Sequence, residues 1–427
     1  MEHSLKILVW PGFSVVGLEI AEQLRFMKDV EIFSGTSTLG HPLTEMFSGV
    51  VEIPNLRTST NKLDQSIINE FIVFPAHDYV LDYIFSDSRQ ISWIGSSKKT
   101  IELSRNKAKM YKFLDKHLSA YSPLMFESKE EALENLPVYA KPNSGYGSQG
   151  HQLVHNEKEF DWFLSVDESL IFMEVLHGDE YTVECLTSNT GELVHVFARK
   201  RIRVRMGTSL SFASPDEVTM VALEELANLL NRSISFNGPW YFQVKERTES
   251  KGDFKVLEVS TRLPGSSVWS RANGVNLAEM SIWNYRGKEI KALKNSCGVV
   301  VERELSSKML LQHPFENVYI DLDETILVNG KVSHWAVAFL IQERNKGKGI
   351  HLLTKSLTRN IDLLLSQLNI IGLFDSISHL DLTEKKSHFM LHASSIFIDD
   401  SFSERQEMRA DHGIPCFGPD VFQLLVK

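Results

Sequence analysis

Cysteine is scarce. The chain has three, Cys185, Cys297 and Cys416, far apart and odd in number among 427 residues. There is no CxxC pair and no Cys/His metal spacing. Neither a disulfide framework nor a zinc site is expected, and a reducing compartment fits best. Long apolar runs are absent too. None reaches the roughly 18–20 residues that span a bilayer. The start, MEHSLKILVWPGF, has no long apolar core and no cleavage signature. The expectation is a cytoplasmic protein with no membrane partner. Positive charge is not in excess: 45 Lys+Arg stand against 55 Asp+Glu, a net charge of -10. Nucleic-acid binding needs concentrated Lys and Arg, so no such partner is expected, although one pocket can be basic inside an acidic protein. Repeats and low-complexity tracts are missing as well. What remains is a globular composition in a chain long for one core, which suggests two to three domains.

The first stretch alternates short apolar runs with helical spacing. Lys6–Trp10 (KILVW), Val30–Phe33, Ile72–Phe74 and Ile91–Ile94 (ISWI) read as strands, and Val15–Met27 as a helix. That alternation predicts a Rossmann-like parallel α/β domain over 1–97. The turn Gly12-Phe-Ser-Val-Val-Gly17 follows the first strand. It could face a ligand at the strand ends, but it is no GxGxxG fingerprint and reads as a structural turn. Residues 98–305 look α+β. Strands are expected at Thr182–Thr187 and Val194–Arg203, with a hairpin of Trp240–Glu246 and Phe254–Ser260. Residues 306–427 return to strand–helix alternation, with strands at Val318–Leu322, Ile350–Thr354 and Ile396–Asp399.

In the middle stretch, a strand delivers Lys141 into a loop holding Gly145, Gly147 and Gly150. Glycines let backbone N–H groups approach an anion, and the lysine adds a point charge. A flexible surface hairpin is the plain alternative. The segment, Val138-Tyr-Ala-Lys-Pro-Asn-Ser-Gly-Tyr-Gly-Ser-Gln-Gly150, resembles the phosphate loop of the ATP-grasp superfamily, with Ser148 in its Gly-Ser step. Other pieces come in that family's order. The stretch from Asn106 to Leu114 resembles the one with the first ATP-contacting lysine, here Lys107, although Asn106 replaces the usual Asp. Phe172–Glu184 resembles the hinge and the strand after it. The resemblance implies adenine at the backbone of Glu174–Leu176 and ribose hydroxyls at Glu180. Gly238–Gln243 and Val256–Arg262 resemble the two metal strands. They imply Mg²⁺ ligands at Gln243 and Glu258, with Ser260 where the family usually has Asn, and Arg262 steadying the transferring phosphate. The run Arg199-Lys-Arg-Ile-Arg-Val-Arg205 puts four arginines on one strand face. Their repulsion predicts an anion there, contacted by Arg201 or Arg203; a solvated face is the alternative. Together the pieces resemble enzymes like the carbamoyl-phosphate-synthetase large chain, and the tellurium-resistance-associated type. Such proteins activate a carboxylate as an acyl phosphate and couple it to an amine-type nucleophile, using ATP with Mg²⁺ or Mn²⁺. A homodimer is one assembly the family offers.

Near the end, an apolar strand runs into Asp321-Leu-Asp-Glu-Thr325. Carboxylates two residues apart at a strand end converge on one cation and one phosphate: the first can attack phosphorus, the second can protonate the leaving oxygen. A calcium loop would need a Glu twelve positions along, which is absent. The segment resembles motif one of the haloacid dehalogenase (HAD) superfamily, and three more motifs come after it. A strand ends in Thr354, a Glu384–Met390 segment carries Lys386, and Ser395–Ser401 carries Asp399 and Asp400. By resemblance Asp321 is the nucleophile, Asp323 the acid/base, Thr354 and Lys386 hold phosphate, and Asp321, Asp399 and Asp400 hold Mg²⁺. Thr354 follows Asp321 by 33 residues and Lys386 follows Thr354 by 32, which leaves no room for a large cap. The expectation is therefore a bifunctional enzyme: an ATP-grasp ligase and a phosphatase acting on a phosphorylated small molecule. Two alternatives stay open, a ligase with a regulatory phosphatase domain and a non-catalytic nucleotide-gated binding protein.

Overall fold

Ile7, Leu8 and Val9 are consecutive and fully buried. A run covered on both faces is what a central parallel strand requires. The computed structural model describes residues 4–41, 44–55, 62–145, 150–205, 208–248, 252–295, 300–303, 308–309 and 311–426. It divides into two compact units, Met1–Glu304 and Leu305–Lys427.

In the first unit, Leu5–Trp10 lies inside a four-stranded sheet of order Gly49–Glu52, Val30–Thr36, Leu5–Trp10, Ile72–Pro75, with all pairs parallel. The chain builds outward from its first strand and then returns to that strand's other side. Helix Val15–Leu24 starts at Ser14, whose Oγ accepts the Gly17 N–H at 3.0 Å. A Cβ on Gly12 would lie 2.1 Å from Ser34 Oγ, and one on Gly17 would lie 2.2 Å from the Pro11 carbonyl. Both positions need glycine for close backbone approach. Ile91–Ile94 is not a strand; only Trp93 bridges Val73. Ile91 and Ile94 are both buried, so the period-2 alternation of a half-buried strand is missing, and Gly95 turns the chain at φ 146°.

The rest of this unit holds two antiparallel sheets. One has six strands in the order Phe254–Ser260, Gly238–Glu246, Glu180–Thr187, Leu193–Arg205, Thr208–Ala213, Val300–Glu302. Helix Glu217–Ser233 buries Leu223, Leu226, Ala227 and Leu230 in a cluster with Val183, Phe242 and Val244. Trp240 is fully buried, stacked on Phe236 at 3.8 Å between centroids, with Nε1 donating to Thr187 Oγ1 at 2.8 Å. The smaller sheet joins Met125–Phe126, Leu170–Met173, Val138–Pro142 and Gln152–Val154 around Phe160 and Phe172. Ile7, Phe74 and Ile94 share one core with Leu186, Leu263 and Ile282. A single core thus spans the expected boundary at residue 97.

The second unit is a five-stranded parallel sheet of order Ser376–His379, Gly349–Thr354, Asn317–Ile320, Ser395–Ile398, Cys416–Phe417. Its strand order reverses between Asn317–Ile320 and Ser395–Ile398, and the carboxyl ends at such a switch point form the usual ligand crevice. Only a short hairpin (Leu327–Val328 with Lys331–Val332) and helix His334–Asn345 stand between Asp321 and Thr354, so nothing caps the crevice from within that stretch. Cys185 and Cys416 are free and buried; Cys297 lies outside the described residues. Among those residues no helix is long and apolar enough to cross a membrane.

Candidate functional sites

The first site is a cavity of about 300 Å³ between the two antiparallel sheets, lined by Lys107, Lys141 and Gly145, by Glu174, Leu176 and Glu180, and by Arg201, Gln243 and Glu258. Gly147 and Ser148 lie outside the described residues. Lys107 opens helix Lys107–His117, which Asn106 caps by accepting the Lys109 N–H at 2.9 Å. Asn and Asp serve equally as N-caps, so the departure at 106 leaves the helix start intact. Asn143, two residues beyond Lys141, accepts the N–H groups of Lys107 and Ala108. The two lysines are tied together in this way.

Lys141 is 3% exposed. Its ammonium donates to Tyr111 Oη and, at 3.2 Å, to the Leu257 carbonyl. Both acceptors are neutral. Burial, with Lys107 adding repulsion, pulls Lys141 down to about 7, and burial also lowers Lys107. A polyanion entering the cavity would supply the missing counter-charge. Gln243 and Glu258 are direct cross-strand partners, so their side chains share a face and offer two hard oxygens. Those donors suit Mg²⁺, which takes few protein ligands and keeps waters.

Several of the expected residues are engaged with partners of their own. Glu174 receives the Leu124 N–H at 2.8 Å and pairs with Arg247 at 2.9 Å. Glu180 pairs with Arg201, which also donates to Gln243 at 3.3 Å and Ser209 at 2.8 Å. The arginine row is not a free anion-binding face. Register shifts between Arg201 and Val204 break the alternation, and each guanidinium described has its own carboxylate. Arg199 is buried on Glu184, and exposed Arg203 pairs with Glu302, away from the cavity lining.

Neither Ser260 nor Arg262 is part of the cavity lining. Ser260 Oγ donates to Asp78 Oδ1 at 3.1 Å, and Arg262 Nη2 donates to Asp78 Oδ2 at 2.6 Å. Arg105 adds a third contact to Asp78 at 3.6 Å. Burial alone would raise the Asp78 carboxyl, but Arg262 and Arg105 hold it well below the usual carboxylate range. Ser260 and Arg262 are therefore both held by the Asp78 carboxylate. Sequence reasoning missed Asp78 and Tyr111. Asp78 opens helix Asp78–Ser86 just past the fourth parallel strand; a carboxylate at a strand end was the available signal.

The second site stands at the switch point of the other sheet. Ile320 and Ile398 are register partners on adjacent parallel strands, and each is followed by an aspartate. Asp321 and Asp399 therefore emerge side by side. Lys386 Nζ donates to Asp321 Oδ1 at 2.5 Å and to Asp399 Oδ2 at 2.6 Å, all three buried. Lys385 is instead exposed on Glu407, which separates the two adjacent lysines. Carboxylate oxygens of Asp321, Asp399 and Asp400 lie within 4.8 Å of one another. This all-oxygen set suits Mg²⁺ or Mn²⁺ over softer metals. Burial pushes Asp321 up to about 7, with Lys386 opposing and Asp399 adding to the rise. Asp399 is raised mainly by burial. Thr354 ends its strand fully buried, its Oγ1 accepting the Ser356 N–H at 3.1 Å. Asp323 is exposed.

Comparison with known proteins adds a frame for the first unit. A family model described as ATP-grasp in the biosynthetic pathway with Ter operon matches residues 166–305. The carbamoyl phosphate synthase large chain of Clostridium perfringens is 22% identical over 269 residues, 58% of this chain and 25% of that one. The chain thus spans about a quarter of the length of the curated relatives it matches. Among solved structures, biotin carboxylase of Campylobacter jejuni superposes with TM-score 0.56 at 19% identity, covering 67% of this chain and 71% of that one. An N5-carboxyaminoimidazole synthetase of Staphylococcus aureus complexed with ADP gives 0.56 at 15%, covering 71% and 81%. The L-amino acid ligase of Bacillus licheniformis gives 0.52 at 16%, covering 67% and 75%. At such identities the likeness speaks for architecture, and on that basis the chain carries the ATP-grasp fold.

Proposed function

We propose that the first unit is an ADP-forming, ATP-dependent carboxylate ligase and that the second is a phosphatase with an aspartate nucleophile. The observation that carries the ligase reading is buried Lys141, ringed by neutral oxygens beside Lys107 and opposite Gln243 and Glu258 in one cavity. The two lysines would bind the phosphates of ATP, and the segment Glu174–Leu176 would hold adenine. A substrate carboxylate oxygen attacks the γ-phosphorus as the bond to the ADP oxygen breaks. An amine then attacks the acyl carbon, inorganic phosphate leaves, and the nitrogen loses a proton. Mg²⁺ held by Gln243 and Glu258 would supply charge neutralisation at the phosphates. Keeping water out of the cavity would protect the acyl phosphate from hydrolysis.

For the second unit the support is the triangle of Lys386, Asp321 and Asp399 with Asp400 beside it. An Asp321 oxygen attacks phosphorus, the ester bond breaks, and Asp323 gives its proton to the leaving oxygen. Asp323 then takes a proton from the water that hydrolyses the aspartyl phosphate. Thr354 and Lys386 orient the phosphoryl oxygens. Asp321, Asp399 and Asp400 would hold Mg²⁺, which supplies Lewis acidity.

A nucleotide-gated binding protein is the second reading. It draws on the engagement of Ser260 and Arg262 with Asp78. One pair of assays separates them. Purified chain with Mg²⁺-ATP and a pool of carboxylic acids and amines should release ADP in an acid-dependent way, and a generic phosphate ester should be hydrolysed. ATP binding with neither turnover would establish the binding protein instead.

A further inference from the structure

In the second unit, strands Asn317–Ile320, Gly349–Thr354, Ser376–His379 and Ser395–Ile398 all end on one edge of the parallel sheet. The segment after each of them carries a large apolar side chain into water. Leu357 stands three residues past Thr354 and is 85% exposed. Leu382 stands three residues past His379 and is 68% exposed. Phe402 stands three residues past Asp399, at the start of helix Phe402–His412, and is 65% exposed. Val328, on the hairpin that follows Asp323, is exposed as well. One such side chain is ordinary on a protein surface, whereas several around one site mark a place of contact.

Hydrogen bonds fasten the four segments into one rim. His379 Nε2 donates to the Ser356 carbonyl at 2.8 Å, which joins the Leu382 loop to the Leu357 loop. Lys355 Nζ donates to Glu404 Oε1 at 2.6 Å, which joins that loop to the helix of Phe402. The Asp400 N–H donates to Thr325 Oγ1 at 3.0 Å, and Asp323 bridges Leu327, which joins the helix start to the hairpin of Val328. Three residues of chain reach at most about 11 Å. Leu357 and Phe402 therefore lie within that distance of Thr354 and Asp399.

Inside the rim, Asp321, Asp399, Asp400 and Lys386 make an ionic floor. A phosphomonoester has the same division, an anionic head and an alcohol body. With its phosphorus at Asp321, the body must pass between the loops. A polyol there would give up water to side chains that offer it no hydrogen bond. An alkyl or aryl body would instead take its own surface and theirs out of water together.

We infer that this apolar collar selects phosphomonoesters of apolar alcohols, alkyl or aryl, over those of sugars and other polyols; the assignment rests on the phosphatase reading of the second unit. The test gives the full chain, with Mg²⁺, hexyl phosphate and 2-hydroxyethyl phosphate, both esters of primary alcohols, and reads released inorganic phosphate. Each methylene taken from water contributes about fourfold, so kcat/KM for the hexyl ester should be higher by about tenfold or more. Leu357→Ser and Phe402→Ser should each cut that ratio by about threefold or more, mainly through KM. Leu391 is also exposed but precedes strand Ser395–Ile398, at the opposite edge of the sheet, and Leu391→Ser should leave the ratio unchanged. A ratio under about tenfold, a ratio that survives both rim substitutions, or an equal fall in Leu391→Ser overturns the inference. If neither ester turns over, calorimetry with hexylphosphonate and 2-hydroxyethylphosphonate decides. Binding of the hexyl compound about tenfold tighter, and weakened in Leu357→Ser, would overturn the phosphatase reading and leave the collar standing; a smaller difference would overturn both.

Discussion

Asp78 makes the sharpest prediction. Its carboxylate is 4% exposed and accepts from the guanidinium of Arg262 and the hydroxyl of Ser260, with Arg105 3.6 Å away. Replacing it by alanine leaves two largely buried guanidiniums without their shared counter-charge. Breaking a buried pair from one side costs roughly 3–5 kcal/mol. Arg105 keeps Asp82, and Arg262 keeps the Leu263 carbonyl and the Tyr241 ring. Those remaining partners put the expected loss near the lower end, about 3 kcal/mol. Asp78→Asn should lose somewhat less, because the amide oxygen can still accept from Ser260. The measurement is denaturant unfolding of the full chain at several pH values, comparing midpoints with unchanged slopes. The folded-state pKa of Asp78 lies below its unfolded value. The stabilisation is therefore complete above the unfolded pKa of about 3.9 and fades as pH falls through the folded pKa. The gap between wild type and variant should be flat from neutral pH down to about 5 and narrow in acid. An Asp78→Ala chain within about 0.5 kcal/mol of wild type at pH 7 would refute the reasoning, since changes of that size are typical of surface sites.

Lys141 titrates near 7 in the free cavity, so ATP binding at pH 8 should take up close to one proton, read by calorimetry in buffers of different ionisation enthalpy. Affinity should weaken by up to about tenfold per pH unit above 7, and Lys141→Met should show no uptake. Asp321→Asn should reduce hydrolysis of p-nitrophenyl phosphate to background, and Asp323→Ala should lower it roughly 10²–10⁴-fold, the usual contribution of an acid/base group. EDTA should abolish the same activity and Mg²⁺ restore it; turnover surviving chelation would contradict the three-carboxylate cluster as a metal site. Trp240→Ala should cost about 3–5 kcal/mol in thermal or denaturant unfolding, the range for a buried aromatic; a loss under about 1 kcal/mol would contradict its packing.

In the second unit the residues singled out from the sequence meet through local features. Each of these candidate side chains stands at, or just past, the end of one short strand or turn. Parallel pairing then brings those ends together: Ile320 beside Ile398 fixes Asp321 beside Asp399. Lys386 needed only the choice between neighbours, and the short turn Lys386–Phe389 makes it by burying one and exposing the other. The first unit was legible where its pieces succeed one another and illegible where distant residues meet. Asp78 contacts Arg262 across 184 positions, and Tyr111 meets Lys141 across 30. No periodicity encodes such pairs. The arginine run shows a different failure. Alternation along Arg199–Arg205 assumed an unbroken strand, whereas register shifts between Arg201 and Val204 re-aim the side chains. The repulsion argument was sound, yet the anions are Glu184, Glu180 and Glu302 of the protein itself.

The serine at 260 gains a rationale from these contacts. An amide oxygen there would offer a hard donor beside Gln243 and Glu258 but could not stand in for a hydroxyl's short reach to Asp78. Ser260 donates at 3.1 Å to the carboxylate that also grips Arg262. Two protein oxygens then remain on the shared strand face. Mg²⁺ tolerates that poverty because it prefers to keep waters and to take the rest of its shell from nucleotide phosphates. On the ligase reading a cation would arrive with the nucleotide, and Ser260 serves the attachment of the N-terminal sheet to the hairpin.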